Sequence, residues 1–445
     1  MQITVVGLGY VGAVAAAVLS RSGHDVTGID TNAAKVDAFS SGSCPFYEPG
    51  LSDLLEAGIA SGNLRFTLPS VGATFNADIA IICVGTPTQA YGGTDLSQVY
   101  GALDWIKMHL HGRTTVVMKS TVPPGTGERL MREELQDTDL QYVFNPEFLR
   151  EGRALEDWLH PDRIVLGGDP RVTETLRTTL YSDIDAPALL TDITSAEMIK
   201  YAANAFLPTK ISFINEMANI CDRVGACIDD VARGIGMDSR IGQAFLKAGL
   251  GYGGSCFPKD TRALEFLSSV KGCSSALLSA VIEVNNRQRL LPIQALQSQF
   301  TSLKGVKVAL LGLAFKPETD DVREAPALDI ARLLVELGAE VRAYDPKARE
   351  TARQILPDTV QIKKTAQEAL HGSHAAILAT EWEEFIRLPW ADIAGKMLEP
   401  RYVFDGRNAL DRAILLDLGF TYRGVGRGSL GYVRLQGDSW RTTQH

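Results

Sequence analysis

The sequence predicts an α/β protein in which two parallel-sheet domains flank a mostly helical central domain with a long connecting helix. Three observations predict it. Strand and helix signals alternate from the amino terminus to about Thr194. Apolar residues at helical spacing then fill 195–295. From Lys304 the alternation resumes and echoes the first stretch. At 445 residues the chain is too long for one ordinary domain, and units of 1–194, 195–298 and 299–445 are expected.

Ile3–Val6 reads as a strand, because it is a short apolar run rich in β-branched residues. Gly7-Leu8-Gly9-Tyr10-Val11-Gly12 follows, then an alanine-rich helix to about Leu19. Ser22-Gly23-His24 makes a turn, and Asp25–Ile29 is a second strand closed by Asp30. Further strands are expected at Ile79–Val84 and Thr115–Lys119. This β-α-β order predicts a parallel sheet with helices on both faces.

Ser195-Ala196-Glu197 opens the long helical run, whose apolar residues continue through Ile211, Ile214, Met217 and Cys221 to Gly225. Leu207-Pro208 is expected to bend or end it, since proline lacks the N–H a helix interior needs. Apolar residues on more than one face suit a subunit interface. In the third stretch, 307–314 echoes 4–9, 340–345 echoes 25–30 and 373–378 echoes 76–81, in the same order. The second copy lacks the full glycine fingerprint, so a ligand other than a dinucleotide is expected there. The polar tail after about Gly426 receives no role.

Composition excludes several function classes. Hydrophobic residues make up 45% and charged residues 22%, a globular balance. Net charge is -9 with no Lys/Arg block, which disfavours nucleic acid and anionic membrane. No apolar run approaches the roughly 20 residues of a membrane span. The start, MQITVVGLGY, has no basic region and reads as a strand rather than a signal peptide. The six cysteines are irregularly spaced, without paired CxxC units, so neither a disulfide scaffold nor a metal is expected. A reducing, cytoplasmic compartment is the natural reading.

The glycine turn carries chemistry because of its context. Gly7 permits the tight turn, Gly9 lets a pyrophosphate approach, and Gly12 allows close helix–strand packing. The helix amino terminus offers free N–H groups to phosphates. Asp30 ends the next strand, where a carboxylate accepts ribose hydroxyls and repels a 2′-phosphate. NAD is therefore expected over NADP. The plainer reading is a glycine turn with no cofactor.

Ala248 to Asp260 (AGLGYGGSCFPKD) places four glycines in six positions ahead of Cys256, an arrangement suited to sharp bends or close approach to a ligand. Lys259 and Asp260 follow. A nearby cation favours the thiolate, the form that attacks carbonyls. Cys83, expected in a strand, and Cys221 and Cys227, expected on a helix, read as inert. Lys200 and Asn204 stand four apart on one helix face and could aim donors at an oxyanion. Glu147 and Glu151 are also four apart and are candidates for proton transfer or water activation. Alone, each pair would more plainly be a solvated helix face. Histidines number seven, and none has a motif partner as a base.

Taken together, these segments resemble the nucleotide-sugar 6-dehydrogenases of the UDP-glucose/GDP-mannose dehydrogenase family. The matching pieces are GLGYVG at 7–12, CVGTP at 83–87, KSTVPPGT at 119–126, NPEFLREG at 145–152, EMIKYAANAFLPTKISFINE at 197–216, GYGGSCFPKD at 251–260, GLAFKPETDDVRE at 312–324 and FDGRN at 404–408. The resemblance implies Rossmann-like NAD-binding and UDP-sugar-binding domains and a homodimer built on the long helix. It implies a four-electron oxidation of UDP-glucose at C6 to UDP-glucuronate through a thiohemiacetal and thioester on Cys256. Lys200 and Asn204 would steady the C6 oxygen. Asp260, Glu147 and Thr121 would position water or relay protons, and which is the base stays open.

By the same resemblance, the cofactor contacts are Gly7, Gly9, Tyr10, Val11, Gly12, Asp30, Lys35, Thr86, Thr121, Glu151, Lys259 and Arg323. Sugar-nucleotide contacts are Glu147, Phe148, Leu149, Glu151, Lys200, Asn204, Phe245, Leu246, Gly249, Gly253, Phe257 and Lys316, with Arg407 a further candidate. Arg240 would reach the neighbouring subunit's site. The plainer reading of Lys316 and Arg323 is an exposed charge. The nearest rival is a sister enzyme acting on GDP-mannose or a UDP-N-acetylhexosamine. A two-electron 3-hydroxyacid dehydrogenase would need no thiol. A non-catalytic NAD sensor would leave Cys256, Lys259 and Asp260 without purpose.

Overall fold

The computed structural model describes residues 1–69, 76–110 and 113–428, so the polar tail lies outside the described residues apart from its first few positions. Among the described residues, eight strands form the first sheet: β1 (Gln2–Val6), β2 (Asp25–Ile29), β3 (Leu64–Thr67), β4 (Ile79–Ile82), β5 (Thr115–Met118), β6 (Gln141–Phe144), β7 (Ile164–Gly168) and β8 (Ala188–Thr191). Their order is β3-β2-β1-β4-β5-β6-β7-β8. Central β1 and β4 are buried almost throughout, as expected of strands covered on both faces.

The sheet is not wholly parallel, since β6 and β7 pair antiparallel. A parallel crossover needs an element long enough to pack across the sheet. The 145–163 connection holds only the six-residue helix Ala154–Leu159. The rest is irregular, so Glu147 and Glu151 do not share a helix face.

The long helix runs Ile193–Val224, 32 residues, or about 48 Å at 1.5 Å per residue. Asp192 caps its start by accepting the Ser195 N–H, and Gly225 ends it in the left-handed region at φ 80°. It neither ends nor divides at Pro208, which is buried inside it. Proline removes only the bond to the Asn204 carbonyl, and packing against neighbours offsets that loss. Ser212 Oγ donates to the Val281 carbonyl, and Asn219 Nδ2 to Gln288 Oε1, both on helix Ala276–Gln288. Near the start of the long helix, Glu197 is fully buried and accepts the N–H groups of Gly125 (2.6 Å) and Gly127 (2.7 Å). Burial pushes its carboxyl up to about 7 against the pull of those donors. Helices Ile228–Gly236, Phe257–Val270 and Leu291–Gln299 complete the helical centre. Cys227 precedes the first of these rather than lying on a helix, and Cys83 follows β4 rather than lying in it.

The second sheet holds β9 (Lys307–Leu311), β10 (Glu340–Tyr344), β11 (Gln361–Ile362), β12 (Ala375–Leu378), β13 (Tyr402–Asp405) and β14 (Thr421–Gly424) in the order β11-β10-β9-β12-β13-β14. The echoed segments take the same places: β9, β10 and β12 stand where β1, β2 and β4 stand. The repeat extends to single hydrogen bonds. Gly7 (φ 95°) and Gly312 (φ 93°) donate to Ile29 and Tyr344 carbonyls, both at 2.8 Å. Leu8 N–H meets Asp30 Oδ2 at 2.9 Å, and Leu313 N–H meets Asp345 Oδ2 at 2.7 Å. Asp345 is fully buried and also accepts from Ala314, Lys347, Ala348 and Trp382 Nε1, so nothing is left for a ribose.

No described helix is long and apolar enough to cross a membrane.

Candidate active site

The glycine turn fits a dinucleotide. Helix Tyr10–Arg21 begins with no side-chain cap and no acid in its first turn, which leaves its N–H groups and positive end open to an anion. A Cβ on Gly9 would meet nothing within 4 Å among the described residues, which leaves the space before it open. A Cβ on Gly12 would come 1.9 Å from the Gly7 carbonyl, and one on Gly7 would come 2.8 Å from Cys83 backbone. Asp30 accepts Leu8 and Asn32 N–H groups, with Lys35 Nζ 3.8 Å away. Two acceptors with about four lone-pair sites leave room for two hydroxyl donors. A cleft of about 890 Å³ is lined by Gly7, Gly9, Tyr10, Val11, Asp30, Lys35, Glu151, Arg323 and Cys256.

Cys256 also lines two neighbouring hollows. One of about 290 Å³ brings it together with Thr86, Thr121, Lys259 and Glu147. One of about 400 Å³ joins it to Glu147, Phe148, Leu149, Lys200, Asn204, Phe245 and Phe257. Phe245 and Phe257 lead on to a hollow of about 270 Å³ with Gly249, Gly253, Lys316 and Arg407.

Electrostatics around the thiol depart from the expectation. Lys259 Nζ turns to Asp260 Oδ1 at 2.5 Å, and Lys200 is the cation that faces Cys256. Burial, with Glu147 and Asp260, pushes the thiol up to about 11 against the opposing pull of Lys200. The resting group is therefore a thiol rather than a thiolate. Lys200 is buried and donates to the Glu147 carbonyl (2.6 Å) and Oε1 (2.9 Å). Burial alone would lower its pKa, but Glu147 and Asp260 hold it above the ordinary lysine value. Two of its three donors are engaged, and one is left for a ligand. Asn204 Nδ2 donates to Asp260 Oδ2 at 2.7 Å, which leaves its second N–H free in the same way.

Several expected contacts sit elsewhere. Asp260 is fully buried behind Asn204 and lines none of these hollows. Leu246 is packed in the core, because Phe245 takes φ 64° and turns the chain there. Arg240 is exposed, paired with Asp238 at 2.6 Å, and lines neither sugar-side hollow of its own chain. Lys316 and Arg323 are not free surface charges. Lys316 Nζ donates to the Glu151 carbonyl, and Arg323 pairs with Asp321 (2.8 Å) and Glu151 (3.2 Å). Arg407 donates to the carbonyls of Ala379, Gly251 and Phe315, so it ties the wall together.

Sequence reasoning missed four residues. Lys119 is buried, donates to Asn145 Oδ1 (2.8 Å) and Tyr181 (3.1 Å), and lies 4.6 Å over Trp158. Arg163 stacks 3.5 Å over Phe148. Glu197 ties the 123–127 loop to the long helix. Ser255 Oγ lies 3.5 Å from Cys256 Sγ. Ser255 stood inside the glycine run, and Lys119 and Glu197 opened the motif segments 119–126 and 197–216, whereas Arg163 carried no signal.

Known proteins resemble this chain in sequence and fold. The NAD binding domain of the UDP-glucose/GDP-mannose dehydrogenase family matches residues 1–185, the central domain 194–287 and the UDP binding domain 309–412. The chain is 46% identical to UDP-glucose 6-dehydrogenase YwqF of Bacillus subtilis over 96% of this chain and 98% of that one. It is 42% identical to a UDP-glucose 6-dehydrogenase of Rhizobium meliloti over 96% and 100%. A UDP-glucose dehydrogenase structure from Pyrobaculum islandicum matches with TM-score 0.86 at 38% identity, over 96% of this chain and 97% of that one. A UDP-D-ManNAc dehydrogenase from Pyrococcus horikoshii matches with TM-score 0.84 at 28%, over 97% and 100%. With an NAD site built on its first sheet and a cysteine at the meeting of its hollows, the chain belongs to the UDP-glucose/GDP-mannose dehydrogenase family.

Proposed function

We propose that this enzyme oxidises the C6 alcohol of UDP-glucose to the carboxylate of UDP-glucuronate, with two NAD+ reduced per sugar. The observation that carries this reading is the position of Cys256, shared by the dinucleotide cleft and the hollow that holds Lys200, Asn204 and Glu147. Bound NAD supplies the hydride acceptor. The residues of the chain do the rest. Gly7, Gly9 and Gly12 admit the pyrophosphate to the helix start, Asp30 holds a ribose, and Lys35, Thr86, Thr121 and Lys259 line the remainder. Phe148, Leu149, Phe245, Gly249, Gly253, Phe257, Lys316 and Arg407 line the sugar-nucleotide path.

At the reacting carbon, the free donors of the buried Lys200 and Asn204 side chains stabilise a C6 oxyanion. Loss of a first hydride from C6 to the acceptor, with the hydroxyl proton passing to water, gives the aldehyde, and the Cys256 sulfur bonds its carbon to give a thiohemiacetal. Loss of a second hydride from C6 gives a thioester. Water then attacks the acyl carbon, the C–S bond breaks, and the carboxylate leaves. Glu147 and Thr121 line the same hollow and are the nearer candidates for guiding that water.

Exposed apolar residues support a homodimer. Phe206, Phe213 and Ile220 recur every seven residues along the long helix and are 64%, 47% and 47% exposed. Exposed Arg240 suits a reach into the neighbouring site. The unit 1–194 would then bind the cofactor, 195–298 would form the dimer, and 299–445 would bind the sugar nucleotide.

A sister substrate is the second reading, favoured by the similarity to the UDP-D-ManNAc dehydrogenase. An NADH assay against UDP-glucose, UDP-N-acetylhexosamines and GDP-mannose separates the two. Two NADH per UDP-glucose consumed, with the other sugars slow, supports the proposal. Preference for an N-acetylhexosamine overturns it.

A further inference from the structure

We propose that Ser255 is a catalytic residue, the hydroxyl through which the Cys256 proton passes to Glu151. The inference rests on the covalent role of Cys256 read above, and it concerns how a buried thiol becomes a nucleophile.

Three observations converge. Ser255 Oγ donates to Glu151 Oε1 at 3.0 Å and lies 3.5 Å from Cys256 Sγ. Either atom can be the donor across the sulfur contact, and with the Ser255 proton directed at Glu151 the hydroxyl oxygen is open to accept from the S–H. Second, Glu151 is prepared to take a proton. Its Oε2 is buried without a hydrogen-bond partner among the described residues. Burial and the facing Asp321 carboxylate push the Glu151 carboxyl up to about 8, so its ionised form stands ready to accept at and above that pH. A proton on Glu151 would gain Asp321 as an acceptor. Third, the serine is pinned. Gly254 (φ 85°) donates to the Arg323 carbonyl at 2.9 Å, and a Cβ on Gly253 would meet the Glu324 carbonyl at 2.4 Å. The loop that carries Arg323 and Asp321 thus sets Ser255 between sulfur and carboxylate.

The transfer balances. The S–H bond breaks as Ser255 Oγ takes that proton, and the serine's own proton moves to Glu151 Oε1. The result is a thiolate and a carboxylic acid, with no change in total charge and no redox. The thiolate then bonds the aldehyde carbon, and the C6 oxygen becomes an alkoxide facing Lys200 and Asn204. Expelling hydride from that alkoxide needs no further base. When water later releases the acyl group, the departing thiolate recovers its proton by the same path.

The charged groups around the path are Glu147, Asp260, Lys200 and Arg323 beside Cys256, and Arg323, Asp321, Lys316 and Tyr10 beside Glu151. A charge effect and a relay therefore differ in sign. If Glu151 acted only by its charge, Glu151→Gln would make the thiol more acidic. If it receives the proton, the same change makes the thiol less reactive at pH 8 and above, where Glu151 is ionised.

The test is alkylation of Cys256 by iodoacetamide in the full-length enzyme, followed from pH 6 to 11 by mass spectrometry of the Cys256 peptide. Ser255→Ala and Glu151→Gln should each slow alkylation at pH 8 about tenfold and move the profile upward. Ser255→Thr should restore it. NAD affinity of Ser255→Ala, measured by calorimetry, should stay unchanged, and kcat should fall without a matching rise in KM. Should Ser255→Ala not fold, Ser255→Gly carries the same test. A wild-type profile for the serine variant, or a downward shift for Glu151→Gln, overturns the relay. Failure of the covalent reading itself would look different: Cys256→Ala would still reduce two NAD+ per sugar.

Discussion

Asn204 donates to Asp260 Oδ2 at 2.7 Å while Lys259 holds Oδ1 of the same carboxylate at 2.5 Å. Both oxygens of a fully buried aspartate are therefore committed. Asp260 orients the Asn204 amide rather than meeting water, and it takes Lys259 away from the thiol.

From this, Asp260→Asn should lower kcat by about 10- to 1000-fold, the scale of losing an aligned oxyanion donor. The KM for UDP-glucose should change less than about threefold. Steady-state kinetics at saturating NAD+ check it, and an unchanged kcat would remove Asp260 from the orienting role.

Lys200 and Glu147 form a buried pair, and removing one partner leaves the other charge uncompensated. Lys200→Met should cost about 3–5 kcal/mol of stability. It should also move the Cys256 alkylation profile upward, because Lys200 is the cation that opposes the other effects on the thiol. Urea unfolding and peptide-level alkylation measure the two separately. A downward shift of the profile would contradict the assignment.

Asp30 closes β2 at the mouth of the dinucleotide cleft. Asp30→Ala should weaken NAD binding by roughly 1.5–3 kcal/mol, the worth of hydrogen bonds to a charged group. It should also reduce discrimination against NADP. Calorimetric titration with both cofactors tests this, and an unaltered preference would take Asp30 out of the site.

Glu197 links the long helix to the 123–127 loop, and its folded pKa of about 7 lies above its ordinary 4.5. The unfolded chain thus loses that proton first as pH rises. The stabilising contribution is full below about 4.5 and is lost as pH passes 7. Wild type should therefore lose more stability between pH 5 and 8 than Glu197→Gln. Tm measured across that range checks it, and parallel curves would count against the shift.

The fold was legible where periodicity and local chemistry agreed. The echo of 25–30 in 340–345 became matching strands, and both terminal aspartates hold the N–H after a turn glycine. The positions of Glu147, Lys200 and Cys256 around one space followed from family motifs, because spacing along the chain cannot show that a loop, a helix and a glycine turn converge. Local spacing also misled. Lys259 stands three residues from Cys256 in sequence, yet Asp260 claims it, whereas Lys200 arrives from a distant helix. Pro208 signalled a bend or an end, and the long helix does not end there. Ser255, Lys119 and Glu197 act through contacts made only in the folded chain, and no spacing in the sequence announces them.

The most direct test is mass spectrometry of enzyme quenched during turnover, with NADH counted against sugar consumed. The account predicts a UDP-sugar adduct on the Cys256 peptide and two NADH per UDP-glucose, both lost in Cys256→Ala while NAD still binds. One NADH per sugar with no adduct at Cys256 would contradict it.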